Sequence, residues 1–348
     1  MKIKMLITNK NKPYKKFKLN ATFIRNVAKF FSCLIIIDSI FIFLLLIKVE
    51  NMEQVTIFTA TFNREKLLSR LYNSLCSQTN KNFIWLIVDD GSTDKTKEYI
   101  KEWINEKKIR IKYYYQENSG KMAAHNYGVK LCKTELFFCV DSDDFLPSTA
   151  IDKIINHWNN YIPKKGINGI LAFKGYHNGK LLTSIKNDNI KLCTLSDGYN
   201  KYGLSGDTAL IFKTCVLKRY EFPIYENEKF IPEAYLYDLI DQTGKLILLR
   251  EIVYFVEYQD DGYSTYIEKN LYKNPKGYFT FINQRLRFDK NKKNRFLDSS
   301  RYMAMAIAHK KRKKISSAVY PLYAFLSFPI GLIIYKKRYK RIIKNEEN

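Results

Sequence analysis

A few short stretches concentrate the residue types that do chemistry. Asp141-Ser142-Asp143-Asp144 follows the apolar run Leu136-Phe-Phe-Cys-Val140, so a strand ends in carboxylates held side by side. Like charges crowded this way repel unless a cation joins them, and hard oxygen ligands suit Mg²⁺ or Mn²⁺. A diphosphate would complete such a shell. The competing reading is a solvated acidic turn capping a helix at Ser148; the strand-end position favours a metal held by at least two of these carboxylates. Asp89-Asp90-Gly91-Ser92 ends a second apolar run. It reads either as a helix-capping turn or as a carboxylate, Asp90, aimed at a base or ribose. Thr61, Phe62 and Asn63 end a third run, and Gly120-Lys121 opens a helix whose N–H groups and ammonium can face phosphate. His125 has no partner at metal-ligand spacing and reads as a core or surface histidine.

The elements that must position these residues alternate between two periods. Residues 55–61, 83–90, 109–116 and 136–141 read as strands, and 64–77, 94–106 and 121–132 as helices. Leu67, Leu68, Leu71 and Leu75 give the first helix an apolar stripe, and Ser92 or Thr93 is placed to cap the second. Strands alternating with helices predict an α/β fold with a mostly parallel, Rossmann-like sheet. Sites in such folds lie beyond the carboxyl ends of the strands, where the residues above fall.

The chain has 348 residues, 46% of them hydrophobic, and a formal net charge of +25. The charge gathers at the ends: ten Lys/Arg against two acids in residues 1–51, and eleven against two in 310–348. Nucleic-acid binding is therefore disfavoured, because a groove for it needs basic residues within the folded middle. Six cysteines without a C-x-x-C pair suit reduced thiols in a cytosol.

Both basic ends flank apolar segments. Phe30–Ile47 just reaches spanning length, but Asp38 near its centre costs about 3 kcal/mol on insertion scales. Nine preceding Lys/Arg would also place everything after it outside the cytoplasm. The segment therefore lies in the interface, pairs with a second crossing, or precedes a true start at Met52. At the other end, the apolar, aromatic residues 318–335 are broken by Pro321, Pro329 and Gly331 and bracketed by basic clusters. That pattern fits an interfacial anchor on an anionic membrane surface, the alternative being a helix packed on the protein's own core.

Thr59-Ala-Thr-Phe-Asn-Arg64, Val88-Asp-Asp-Gly-Ser-Thr-Asp94, Asn118-Ser-Gly-Lys121 with Asn126 and Gly128, and Val140-Asp-Ser-Asp-Asp144 stand in the order and approximate spacing of family-2 glycosyltransferases. The resemblance covers about residues 54–265 and implies a GT-A fold. The expected organisation is a 1–51 extension, a 52–265 catalytic domain and a helical, basic, membrane-associating 266–348 region. By that resemblance Phe62 stands where a Tyr usually contacts the base, Asp90 reads the base, and Asp141 and Asp143 meet metal and sugar-diphosphate. Ala60 replaces the usual Pro. Gly206-Asp207, Glu221-Phe-Pro223 and Glu228-Lys-Phe-Ile-Pro-Glu233 look similar to a subgroup associated with capsule and other bacterial surface polysaccharides. This makes Glu233 the first candidate for the general base and Asp207 the second. Residues 258–264 and 274–277 are candidates for a loop over the diphosphate, or plain surface loops.

The resemblance implies inverting transfer from a nucleotide-sugar, UDP-sugar first, to a glycan or lipid-linked oligosaccharide at the cytoplasmic face of the membrane. Two other readings compete. A nucleotidyltransferase shares the acidic pair but usually has a Gly- and Arg-rich phosphate loop, which Thr59–Arg64 lacks. An inert sugar-nucleotide-binding scaffold is disfavoured by the intact acidic cluster.

Overall fold

The computed structural model describes residues 53–257, 267–289, 291–310 and 318–347. The 1–51 extension with its apolar stretch, and the 258–264 segment, lie outside the described residues.

Eight strands form one sheet among the described residues: β1 (Val55–Thr61), β2 (Phe83–Asp89), β3 (Ile111–Tyr115), β4 (Leu136–Cys139), β5 (Ile167–Gly175), β6 (Leu192–Cys193), β7 (Thr208–Lys213) and β8 (Lys245–Phe255). Their order is β3-β2-β1-β4-β7-β5-β8-β6. The first four are parallel neighbours, with Thr61 level with Asp89 and Phe58 level with Cys139. The chain builds outward from β1 through β2 to β3 and then places β4 on the other side of β1. That reversal opens a crevice at the carboxyl ends of β1 and β4.

The second half is mixed rather than parallel. β7 runs antiparallel to both β4 and β5, and β6 antiparallel to β8. Between β5 and β7 the chain passes through β6, at the far edge of the sheet, and helix Leu195–Lys201.

Helices cover both faces, which is why β2 is buried along its whole length instead of alternating. Ile57, Trp85 and Ile87 pack with Leu68, Leu71, Trp103 and Trp158 of helices Leu68–Cys76, Thr96–Glu106 and Ala150–Asn160. Phe58, Leu86 and Val88 face the other way, towards Met122 and Val129 of helix Lys121–Leu131. Tyr278, Ile282, Tyr302 and Met303, from helices Pro275–Phe288 and Lys292–Ala308, join this second cluster. The carboxy-terminal helices thus extend the sheet's own apolar layer. Asp298, 1% exposed, anchors them by accepting from Arg285 Nε at 2.9 Å and Arg301 Nη1 at 2.5 Å.

The first helix begins at Leu68 rather than at residue 64, because the preceding backbone is bonded elsewhere. Arg64 N donates to Thr96 Oγ1 at 3.3 Å and Glu65 N to Asp94 Oδ2 at 3.1 Å. Asp94 also accepts from Thr96 N at 3.0 Å, and the second helix begins at Thr96 with Lys95 at its N-cap, not Ser92 or Thr93. Asn274–Gly277 is the start of a helix rather than a loop: Glu228 accepts from Lys276 N and Gly277 N, both at 2.9 Å.

Gly128 shows why the third helix lies so close to the sheet. A Cβ there would collide with the Phe58 ring. Gly128→Val is therefore expected to destabilise the fold by about 1–3 kcal/mol in denaturant unfolding, the usual cost of overpacking; a neutral result would contradict this packing.

Candidate active site

A cleft of about 350 Å³ opens at the crevice between the carboxyl ends of β1 and β4. Thr61, Phe62, Asp90, Gly120, Lys121, Asp141, Asp143 and Asp207 line it, so most of the predicted site residues converge there. Asn63 and Glu233 are not in its wall.

Asp90 is 4% exposed, and its carboxylate is already occupied by the chain itself. Oδ1 accepts from Ser119 N at 2.8 Å and Gln116 Nε2 at 2.7 Å, and Oδ2 accepts from Gly120 N at 2.8 Å. Asp90 shapes the 116–120 turn while it lines the cleft, and the Gly120 N–H points to Asp90. Gly120 has φ +93°, and a Cβ there would lie 2.8 Å from Lys229 Cβ, so only glycine fits the turn.

Asn63 likewise organises its neighbours. Its Oδ1 accepts from Thr93 N at 2.8 Å and its N–H donates to Ser92 Oγ at 2.9 Å, which ties the loops after β1 and β2 together. Phe62, 45% exposed, offers its ring to the cleft.

The turn delivers Lys121 to the centre of the site. Its Nζ lies 2.6 Å from Asp141 Oδ1 and 2.7 Å from Glu233 Oε1, so one ammonium bridges the end of β4 and the start of helix Ala234–Asp241. Burial opposes its charge, yet Asp141 and Glu233 hold Lys121 well above the ordinary lysine value. Glu233 is held below the ordinary range chiefly by Lys121. Asp141 is also held low: burial would raise it, but Lys121 and Lys174 outweigh burial.

The acidic cluster divides by role. Asp144 Oδ2 accepts from Tyr254 OH at 2.7 Å and Oδ1 from Glu257 N at 3.1 Å, which fastens the cluster to the end of β8. Burial and then Asp141 push Asp144 up to about 7. Tyr254 OH also accepts from Asp141 N at 3.0 Å. Asp143 is raised, by burial first and by repulsion from Asp141 second.

No group of three His, Cys, Asp or Glu side chains forms a ready-made metal cage among the described residues. Two carboxylates facing one cleft nevertheless fit Mg²⁺ or Mn²⁺, which commonly take one or two protein carboxylates and complete their shell with water and substrate phosphate. Asp141 and Asp143 fit that donor set. His125 does not enter it: half-buried against Phe58, Phe137 and Phe222, it is lowered to about 4 by burial and stays neutral.

Tyr254, Lys174 and Lys229 have no signature in the sequence. Lys174 arrives from β5 with its Nζ 4.1 Å from the centre of the Tyr254 ring, and Lys229 Nζ donates to Asn118 Oδ1 at 2.5 Å. Both line the cleft and make it more cationic beside the acidic pair.

Comparison with known proteins places the fold in the GT-A class. It matches S. aureus TarS 1–349 in complex with UDP-GlcNAc at TM-score 0.53 and 17% identity, over 79% of each chain. It also matches a mannosyltransferase of Pyrobaculum calidifontis in complex with GDP-Man and Mn²⁺ at TM-score 0.51 and 14% identity, over 82% of this chain and 87% of that one. Residues 56–215 match the family model for glycosyl transferase family 2. An uncharacterized glycosyltransferase of Haemophilus influenzae is 28% identical across 57% of this chain and 76% of its own length. The teichoic acid poly(glycerol phosphate) polymerase of Staphylococcus epidermidis is 33% identical, but over 31% of this chain and only 15% of its own length.

Tyr254→Phe tests how the cluster is held. It removes the hydroxyl shared by Asp144 and Asp141 while keeping the ring, so stability should fall by about 1–3 kcal/mol in denaturant unfolding. An unchanged midpoint would show that the hydroxyl does not hold the cluster.

Proposed function

We propose that the cleft binds a nucleotide-sugar and transfers its sugar, with inversion, to a hydroxyl of a glycan or lipid-linked oligosaccharide used in cell-surface polysaccharide assembly. A UDP-sugar is the donor we favour, since a fold neighbour is seen with UDP-GlcNAc. The observation that carries the reading is the arrangement around Lys121: Asp141, one of the acidic pair at the strand end, and a separate carboxylate, Glu233, share one ammonium.

Three tasks follow from that arrangement. Phe62 stacks on the base of the donor, beside the turn shaped by Asp90. Lys121 faces the diphosphate and gives its charge to the leaving group as the bond to the sugar breaks. Glu233 accepts the proton of the acceptor hydroxyl, whose oxygen attacks the anomeric carbon from the face opposite the departing nucleoside diphosphate. A divalent cation, held by Asp141 and Asp143 when bound, supplies further neutralisation of that leaving charge.

Glu233 suits the role of base because Lys121 keeps it ionised through neutral pH, while Tyr237 OH donates to its Oε2 at 3.2 Å and fixes its direction. Asp207 is the second candidate; it is exposed at the cleft wall.

Glu233→Gln should retain donor binding and lose about 10²- to 10⁴-fold in turnover, the usual worth of a general base. Turnover close to wild type would move the role to Asp207. The pH profile is a second readout. A carboxylate base works above its pKa, so the acidic limb of kcat/KM should lie below the ordinary Glu range. Removing Lys121 removes the chief cause of that lowering, so Lys121→Met should move the limb to higher pH. A limb that stays in place would separate proton acceptance from Glu233. Asp143→Asn should weaken donor binding in Mg²⁺ or Mn²⁺ and make it insensitive to chelator; equal binding in wild type and variant would contradict the assignment of Asp143.

A further inference from the structure

The carboxy-terminal helices carry a surface that the transfer chemistry does not use. Helices Pro321–Leu326 and Phe328–Ile334 have one inward face, made by Ala324, Ser327 and Gly331. It packs on helix Lys292–Ala308, closely enough that a Cβ on Gly331 would lie 2.8 Å from Met303 Cβ. The opposite face is bare. Leu322 is 67% exposed, Phe325 68%, Leu326 59% and Ile333 52%, with Phe328 and Ile330 beside them. Large apolar side chains exposed together, not scattered, mark an interaction surface.

The charge around this crest identifies its partner. From Ala318 to Lys344 the sequence has no Asp or Glu. Lys336, Lys337 and Lys340, just beyond the apolar turns, are exposed. Tyr320, Tyr323 and Tyr335, half-buried, belong to the same segment, Tyr320 and Tyr323 with ring centroids 5.8 Å apart. Apolar residues, tyrosines and cations of a single sign match the acyl region, the interface and the anionic headgroups of a bilayer. The helix that starts at Phe328 continues through a π turn at Tyr335–Tyr339 into the basic helix Lys340–Glu347, so its apolar part is short, and no described helix is long and apolar enough to cross a membrane. The crest can therefore enter one leaflet edge-on but not span it.

We propose that residues 320–344 form a docking face for an anionic phospholipid surface, with Leu322, Phe325, Leu326 and Ile333 inserted among the acyl chains and Lys336, Lys337 and Lys340 on the headgroups. The proposal stands apart from the identity of the transferred sugar.

The test uses the full chain, with vesicles of phosphatidylcholine alone or mixed with phosphatidylglycerol, read by co-sedimentation and by hydrogen exchange across residues 320–344. The chain should bind the mixed vesicles in preference, with this segment protected from exchange. Two sets of exposed substitutions, Phe325→Ser with Leu326→Ser and Ile333→Ser, and Lys336→Ala with Lys337→Ala and Lys340→Ala, should each weaken partitioning about ten-fold or more. Unchanged thermal unfolding would show that the variants are folded. Three results would overturn the proposal: no binding by the full chain, binding by the apolar variant equal to wild type with exchange in 320–344 unaltered, or protection of the segment by self-association without vesicles.

Discussion

Lys121 Nζ holds the two halves of the site together. Asp141 comes from the parallel half of the sheet and Glu233 from the chain beyond β7, and no covalent feature sets their distance. The ammonium, within 2.7 Å of both, sets it. Its own position depends on a sequence of backbone constraints. Asp90 fixes the 116–120 turn, the turn requires the positive φ of Gly120, and Gly120 starts the helix that carries Lys121. Gly128 then lets that helix lie against Phe58. Residues that look like separate motif letters in the sequence are successive supports for one charged group.

This arrangement gives a physical account of how a crowded acidic site folds before any substrate arrives. Carboxylates near one another raise each other's pKa and destabilise the folded state unless something offsets them. Here Lys121 and Lys174 offset Asp141, Lys121 offsets Glu233, and hydrogen bonds from Tyr254 and the Glu257 N–H satisfy Asp144. Asp143 has less compensation and is raised, as is Asp144 through burial and Asp141. A ligand that brings both negative phosphate and a divalent cation can exchange partners with this set without leaving a buried charge bare.

Much of this was legible in the sequence because it is local. The strand-end acids, the Phe62 turn and the glycine before Lys121 all depend on residues within a few positions of one another, and β1 occupies the span its apolar run predicted. What escaped depends on long-range pairing. Tyr254 and Lys174 reach the site only because β8 and β5 lie side by side in the second half of the sheet, and no spacing announces that. The mixed direction of that half escaped for the same reason. Some side chains were legible by type but not by direction: Asp90 and Asn63 carry groups suited to a ligand, and part of their hydrogen bonding goes to neighbouring backbone. Sequence pattern gives the inventory of polar groups; only the fold shows which remain open to a ligand.

The central claim is that the cleft around Lys121 is a nucleotide-sugar donor site, and a structure of the full chain with a nucleoside diphosphate and Mn²⁺ tests it most directly. The account predicts the diphosphate beside Lys121, the cation on Asp141 and Asp143, and the base against Phe62. A nucleotide seated elsewhere, or a cleft in which Lys121 keeps both carboxylates while the ligand binds away from them, would contradict it.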